Sequence, residues 1–157
     1  SLAADKGVYY LDAPVKRAYF FNDMKRSAAF AGLPYVEPVK LPMSSHLAAR
    51  LYYAVKAQDE ALAAALARRL LPAFFAEHRD IADAATLADL AAEVGIPADM
   101  AAEGMTGTAG RGGLEAAVAD AVTSGVVGSP YFLVDGEGFF GADRLPQLRW
   151  FLSGGRA

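Results

Sequence analysis

The chain has 157 residues, 54% of them apolar, which is enough to bury one core and leaves little room for two. Fifteen Lys and Arg against 18 Asp and Glu give a formal charge of −3 with no basic stripe, which argues against a nucleic-acid partner. No apolar run reaches the ~18 residues of a membrane span, and with no cysteine there is neither a disulfide framework nor a Cys-x-x-Cys redox pair. A soluble, cytoplasmic protein outside the membrane is the expectation.

Asp12-Ala-Pro14 predicts an N-cap and first-turn proline for a helix carrying Phe20, Phe21, Met24, Ala28 and Ala31, stopped by Gly32 and Pro34. Three prolines between Leu33 and Pro42 predict an extended connector, after which Ser44 or Ser45 caps a second helix. Leu47, Leu51, Ala54 and Val55, then Leu62, Leu66, Leu70 and Phe74, mark two packed helices, the second kinked or restarted at Pro72. Thr86-Leu-Ala-Asp89 predicts a helix start, and Gly95 with Pro97 its end. Gly104 to Gly113, half glycine, predicts a mobile loop or an irregular connection.

Leu114, Ala117, Val118, Ala121 and Val122 form another helical stripe, with Gly125 as a left-handed cap. Tyr131–Val134 and Phe139-Phe140, separated by Asp135-Gly-Glu-Gly138, predict a β-hairpin. Asp143 then caps a last helix carrying Leu145, Leu148, Phe151 and Leu152. A hairpin alone is marginal in water, so other strands are expected to pair with it.

The run Gly125-Val-Val-Gly-Ser-Pro-Tyr-Phe-Leu-Val-Asp-Gly136, followed by Phe140-Gly-Ala-Asp-Arg-Leu145, resembles the C-terminal half of DsbA-like thioredoxin folds. More narrowly it resembles 2-hydroxychromene-2-carboxylate isomerases and kappa-class glutathione transferases. Pro14-Val-Lys16, Tyr19, Asn22-Asp23 and Gly32-Leu-Pro34 extend the likeness upstream. The resemblance implies one α/β domain, residues 1–157, of thioredoxin-like (DsbA-like) fold. A large all-helical insertion spans about 35–113, and the C-terminal thioredoxin half, about 114–157, is a helix, a hairpin and a helix. It also implies that the N-terminal βα part, with the turn that bears the nucleophile-side residue, is absent from this chain, so no catalytic residue is assigned.

The family's function implies glutathione as cofactor, a small aromatic substrate and a homodimer. By resemblance Ser129-Pro130 is a cis X-Pro bond, the alternative being an ordinary trans turn proline, and the Ser129 backbone pairs with the cysteinyl backbone of glutathione as a short added strand. Ala142 and Asp143 take the γ-glutamyl group at a helix start, or Asp143 only caps its own helix. Lys16 neutralises a carboxylate or is a solvated surface lysine. Asn22 contacts substrate or hydrogen-bonds within its helix, and Tyr52 and Tyr53 line an aromatic pocket or belong to the core.

Two histidines, His46 and His78, lie 32 positions apart with no third ligand at a recognisable spacing, so no metal is expected. The resulting expectation is a glutathione-dependent isomerase of the 2-hydroxychromene-2-carboxylate type, acting in aromatic catabolism. The alternatives are a DsbA-like thiol-disulfide oxidoreductase, a kappa-type glutathione transferase, or a non-catalytic truncated domain that binds a partner through an open sheet edge.

Overall fold

A computed structural model describes residues 13–155. Seven α-helices and one hairpin follow one another in these residues: α1 (Pro14–Phe30), α2 (His46–Lys56), α3 (Glu60–Phe75), α4 (Ala84–Glu93), α5 (Ala98–Thr106), α6 (Thr108–Thr123), β1 (Tyr131–Val134), β2 (Glu137–Phe140), a 3₁₀ turn (Ala142–Arg144) and α7 (Leu145–Leu152). They divide into two compact units, with the division between Gly113 and Leu114, inside α6.

The first unit is built on α2, α3, α4 and α5. Leu51, Val55, Leu66, Leu87 and Leu90 are fully buried there, and Ala63, Ala73, Ala91 and Ala101 fill the remaining space. Leu51 and Val55 stand four positions apart on α2, and Leu66, Leu70 and Ala73 three or four apart on α3, so each helix turns one stripe inward. Two aspartates begin α3 and α4: Asp59 accepts from the Leu62 amide at 2.9 Å, and Asp83 from the Thr86 amide at 2.8 Å. The cap of α4 is therefore Asp83 and not the Thr86–Asp89 start expected from sequence. Thr86 is instead the N3 residue, and its hydroxyl also donates to Asp83 at 2.9 Å.

Helix α3 runs through Pro72 to Phe75 without the expected restart. Pro72 lies in the last turn, where its missing N–H removes one bond close to an end that frays anyway. The helix start at Pro14 is as the sequence implies, but its N-cap is Ala13, without a side-chain cap, and Asp12 lies outside the described residues. No residue of α1 is fully buried. The connector after α1 has no regular structure, and the Val36 amide donates to the Phe75 carbonyl at 2.7 Å, tying it to the end of α3.

The expected loop at Gly104–Gly113 is instead the end of α5, a one-residue break and the start of α6. Close approach explains the glycines. A Cβ on Gly104 would stand 3.0 Å from Leu51 Cδ1, one on Gly110 would stand 2.2 Å from the Gly104 carbonyl oxygen and 2.7 Å from that of Arg50, and one on Gly113 would stand 2.8 Å from Tyr53 Cβ. The missing side chains let the backbone of this segment reach α2, and that packing outweighs the low helix propensity of glycine.

In the second unit α6 ends as expected at Gly125. Its φ of +71° lets its amide donate to Val122 O, and lets the Val126 amide reach Ala121 O. The antiparallel hairpin pairs Tyr131 with Phe140 and Val134 with Glu137, closed by Asp135-Gly136, both at positive φ. The turn is thus two residues long, tighter than the four expected from sequence, and Glu137 and Gly138 belong to β2. Among the described residues this is a two-stranded sheet. Phe139 meets Phe151 edge-on with centroids 5.4 Å apart, which places α7 against one face of the hairpin.

Candidate functional site

The hairpin gathers four of the residues named from sequence. Its register continues one step past the strands, because the Gly141 amide donates to the Pro130 carbonyl at 2.9 Å. Ser129-Pro130 and Ala142-Asp143 therefore lie at the same end of the hairpin, twelve residues apart in sequence and facing across the ladder. The Ser129–Pro130 bond is cis, as the sequence comparison implied, and Leu41–Pro42 is a second cis bond that it did not.

Glycine holds this end close. A Cβ on Gly128 would meet the Phe140 ring at 2.5 Å, so the segment before Ser129 lies directly on β2. Gly141 turns the chain at φ +105°, and a Cβ there would stand 2.4 Å from Asp143 Oδ1. Asp143 does not cap α7. It sits inside the 3₁₀ turn, its carboxylate 3.6 Å from the Arg144 guanidinium and mostly exposed. The short turn is the reason: with the 3₁₀ turn inserted before α7, the N-cap position falls on Arg144, one residue beyond Asp143.

The backbone groups left over are those a peptide ligand needs. The Ser129 amide and carbonyl and the Ala142 and Asp143 amides have no hydrogen-bond partner among the described residues, and Ser129, Ala142 and Asp143 are exposed. A tripeptide backbone could pair with Ser129 as an added strand and a carboxylate with the two amides, so these groups would fit glutathione.

The remaining candidates sit in the first unit. Lys16 is in the first turn of α1, and Asn22 lies about 120° around the same helix from it. Asn22 instead lines a hollow of about 370 Å³ with Phe21, Lys25, Tyr35 and Glu37. Tyr52 packs against the core and meets Tyr53 edge-on at 5.0 Å, and Tyr53 lies against Gly113, so both serve helix packing. His46 opens α2 near the Ser44 hydroxyl at 3.4 Å, and His78, at φ +56°, bonds the Glu37 carbonyl at 2.8 Å. Among the described residues no three His, Cys, Asp or Glu side chains stand together as a metal site, and no helix is long and apolar enough to cross a membrane.

Sequence reasoning missed Lys25, Tyr35 and Glu37. Lys25 follows Asn22 by one helical turn, which is a legible signal, but nothing in the proline-framed connector shows that Tyr35 and Glu37 return to that face of α1. It also treated Gly128 and Gly141 only as motif letters, whereas both are required by close contacts.

Comparison with known proteins agrees with this architecture. The family model described as the DSBA-like thioredoxin domain matches residues 2–153. A 2-hydroxychromene-2-carboxylate isomerase of Sphingobium xenophagum is 32% identical over 130 residues, which are 83% of this chain and 65% of that protein. The chain thus spans about two thirds of the length of the curated relative it matches. The selenomethionine structure of a 2-hydroxychromene-2-carboxylate isomerase superimposes with a TM-score of 0.84 at 24% identity, covering 98% of this chain and 76% of the other. A Nitrosomonas europaea protein assigned as a protein disulfide isomerase superimposes with a TM-score of 0.69 at 19% identity, covering 91% and 77%. With nearly its whole length matched by the family model and its cis-proline hairpin in place, the chain belongs to the DSBA-like thioredoxin domain family.

Proposed function

We propose that this chain is the greater part of a glutathione-dependent isomerase of the 2-hydroxychromene-2-carboxylate type. The observation that carries the reading is the 32% identity to such an isomerase over 130 residues, and the unpartnered Ser129, Ala142 and Asp143 backbone groups of the hairpin support it. When bound, glutathione supplies the thiol nucleophile that this cysteine-free chain does not have.

The chain's own part is binding and orientation. The Ser129 amide and carbonyl hold the tripeptide backbone in one register, and Pro130, fixed to Gly141 through its carbonyl, keeps that edge from moving relative to Ala142 and Asp143. The two amides take the γ-glutamyl carboxylate, and the Asp143 carboxylate takes its ammonium. Lys16 neutralises a further carboxylate, of glutathione or substrate. Holding the thiol at a fixed point before a planar aromatic substrate turns a bimolecular addition into one within a complex, and this is where most of the rate gain arises. The same reading makes the protein a cytoplasmic homodimer of aromatic catabolism.

The test is spectroscopic. 2-Hydroxychromene-2-carboxylate is mixed with protein carrying this chain, with and without glutathione, and the absorbance of ring opening is followed. The expected outcome is isomerisation only with glutathione, and no spectral change in the complete protein sinks the proposal. Asp143→Asn should weaken glutathione binding about tenfold, the usual worth of one charge-assisted hydrogen bond. A second reading, thiol-disulfide exchange, draws on the likeness to DSBA-like domains, and insulin reduction by the complete protein would favour it instead.

A further inference from the structure

The hollow on α1 is a second place where unpartnered polar groups converge, and it stands apart from the isomerase reading. Phe21, Asn22 and Lys25 line it from α1, and Tyr35 and Glu37 from the connector that follows. At about 370 Å³ it lies at the small end of the range for ligand sites. Lys16 is about 180° around α1 from Lys25, so the candidate lysine named from sequence does not share this face.

Two features distinguish it from ordinary polar surface. Lys25 and Glu37 line the same hollow with opposite charges, yet neither forms an ion pair with the other or with any other of the described residues. Beside them the Tyr35 hydroxyl is closed off from solvent and has no hydrogen-bond partner. A polar group so placed costs about 1–3 kcal/mol unless something supplies its bond. Burial, and then the nearby Glu37 carboxylate, push the Tyr35 phenol above its usual range, so it remains a donor at neutral pH.

We infer that this hollow binds an α-amino-acid zwitterion, its carboxylate on Lys25 and the Asn22 amide, its ammonium on Glu37 and its apolar part on Phe21. The charge arrangement selects this class. A simple anion attracted by Lys25 meets Glu37, and a simple cation attracted by Glu37 meets Lys25. Only a small molecule carrying both charges satisfies both walls. Tyr35 lines the same hollow, and its unbonded hydroxyl is a donor that a small side-chain rotation would bring to the ligand carboxylate. Two sources share this chemistry: a free amino acid, or the γ-glutamyl end of a peptide.

The full chain, labelled with ¹⁵N, is titrated with L-phenylalanine, with its half-ligands 3-phenylpropanoate and phenethylamine, and with glutathione. L-Phenylalanine or glutathione should shift the amides of residues 21–25 and 35–37, and each half-ligand should bind about tenfold or more weakly. L-Phenylalanine acting there identifies a free amino acid as the source, and glutathione alone acting there identifies a γ-glutamyl end. Lys25→Gln and Glu37→Gln, both at exposed positions, should each weaken the effective ligand about tenfold, with the circular dichroism spectrum unchanged. The inference is overturned if neither zwitterion shifts these amides, or if a half-ligand binds as well as the whole. Shifts from glutathione confined to residues 128–143 bear on the isomerase reading and leave this outcome to the L-phenylalanine arm.

Discussion

The two units of the chain solve the burial problem unequally. The first packs four helices around an apolar core of fully buried leucines, with α5 drawn onto α2 by glycine. In the second, among the described residues, Leu148 alone is buried, while Val127, Leu133, Trp150 and Leu152 stay more than half exposed and Phe140 nearly so. Yet the second unit carries the cis-proline hairpin and the backbone groups proposed to hold glutathione. The buried core and the proposed glutathione-binding groups thus lie in different stretches of one chain: a close-packed helical unit, and a thin hairpin whose geometry rests on a tight turn and a few glycine contacts.

The largest effect should come from the densest place. Leu66→Ala removes a fully buried side chain and should cost about 2–5 kcal/mol in urea unfolding, whereas Leu148→Ala, in the thinner unit, should cost clearly less. Equal losses at the two sites would break the comparison.

Next in size is a pair of substitutions within one helix. Gly110→Ala drives a methyl into the carbonyls of Gly104 and Arg50 and should cost about 1–3 kcal/mol. Gly112→Ala, two residues on in α6 with nothing within 4 Å of the new methyl, should stabilise by about 0.5–1 kcal/mol. Thermal unfolding of the two variants against the parent chain measures both. Opposite signs confirm that the glycines of this segment are there for contact at some positions only, and two losses or two gains would refute it.

That pair also shows what the sequence could and could not convey. The helical stripes of α2 and α3, the Gly125 terminus and the hairpin were legible because each is set by residues within a few positions of one another. The DsbA-like fold was legible from the Gly125–Arg144 pattern. The start of α6 was not: glycine's propensity argues for a loop, whereas Gly110 and Gly113 pack as helix on Arg50 and Tyr53, sixty residues earlier. Ser129 and Asp143 were named together because the family pattern that suggests them spans one short hairpin. Lys25, Tyr35 and Glu37 were not, because no local rule brings the connector back onto α1. Asp143 was misread as a cap because the 3₁₀ turn shifts the helix start by one residue.

The smallest effect concerns pH and again separates the units. In the first unit Glu93 is held below its ordinary value of 4.5 by hydrogen bonds from Arg79 and then from Arg69, at 2.6 and 2.5 Å. Asp83 is held below 3.8 by the Thr86 amide and then its hydroxyl. Both carboxylates are therefore better ionised in the folded chain than in the unfolded one. Their contribution is fully present above the ordinary values and is lost as pH falls through the lower, folded ones. The groups are exposed, so the effect is modest and fades with salt. Urea midpoints taken from about pH 6 down to about pH 3 should fall, and in Glu93→Gln the fall should be shallower at low salt, with the difference shrinking as salt is added. Were the Gln variant to lose stability over the same window as steeply as the parent, the Arg69–Glu93–Arg79 network would be ornamental, and the acid sensitivity of the helical unit would have to be sought in other carboxylates.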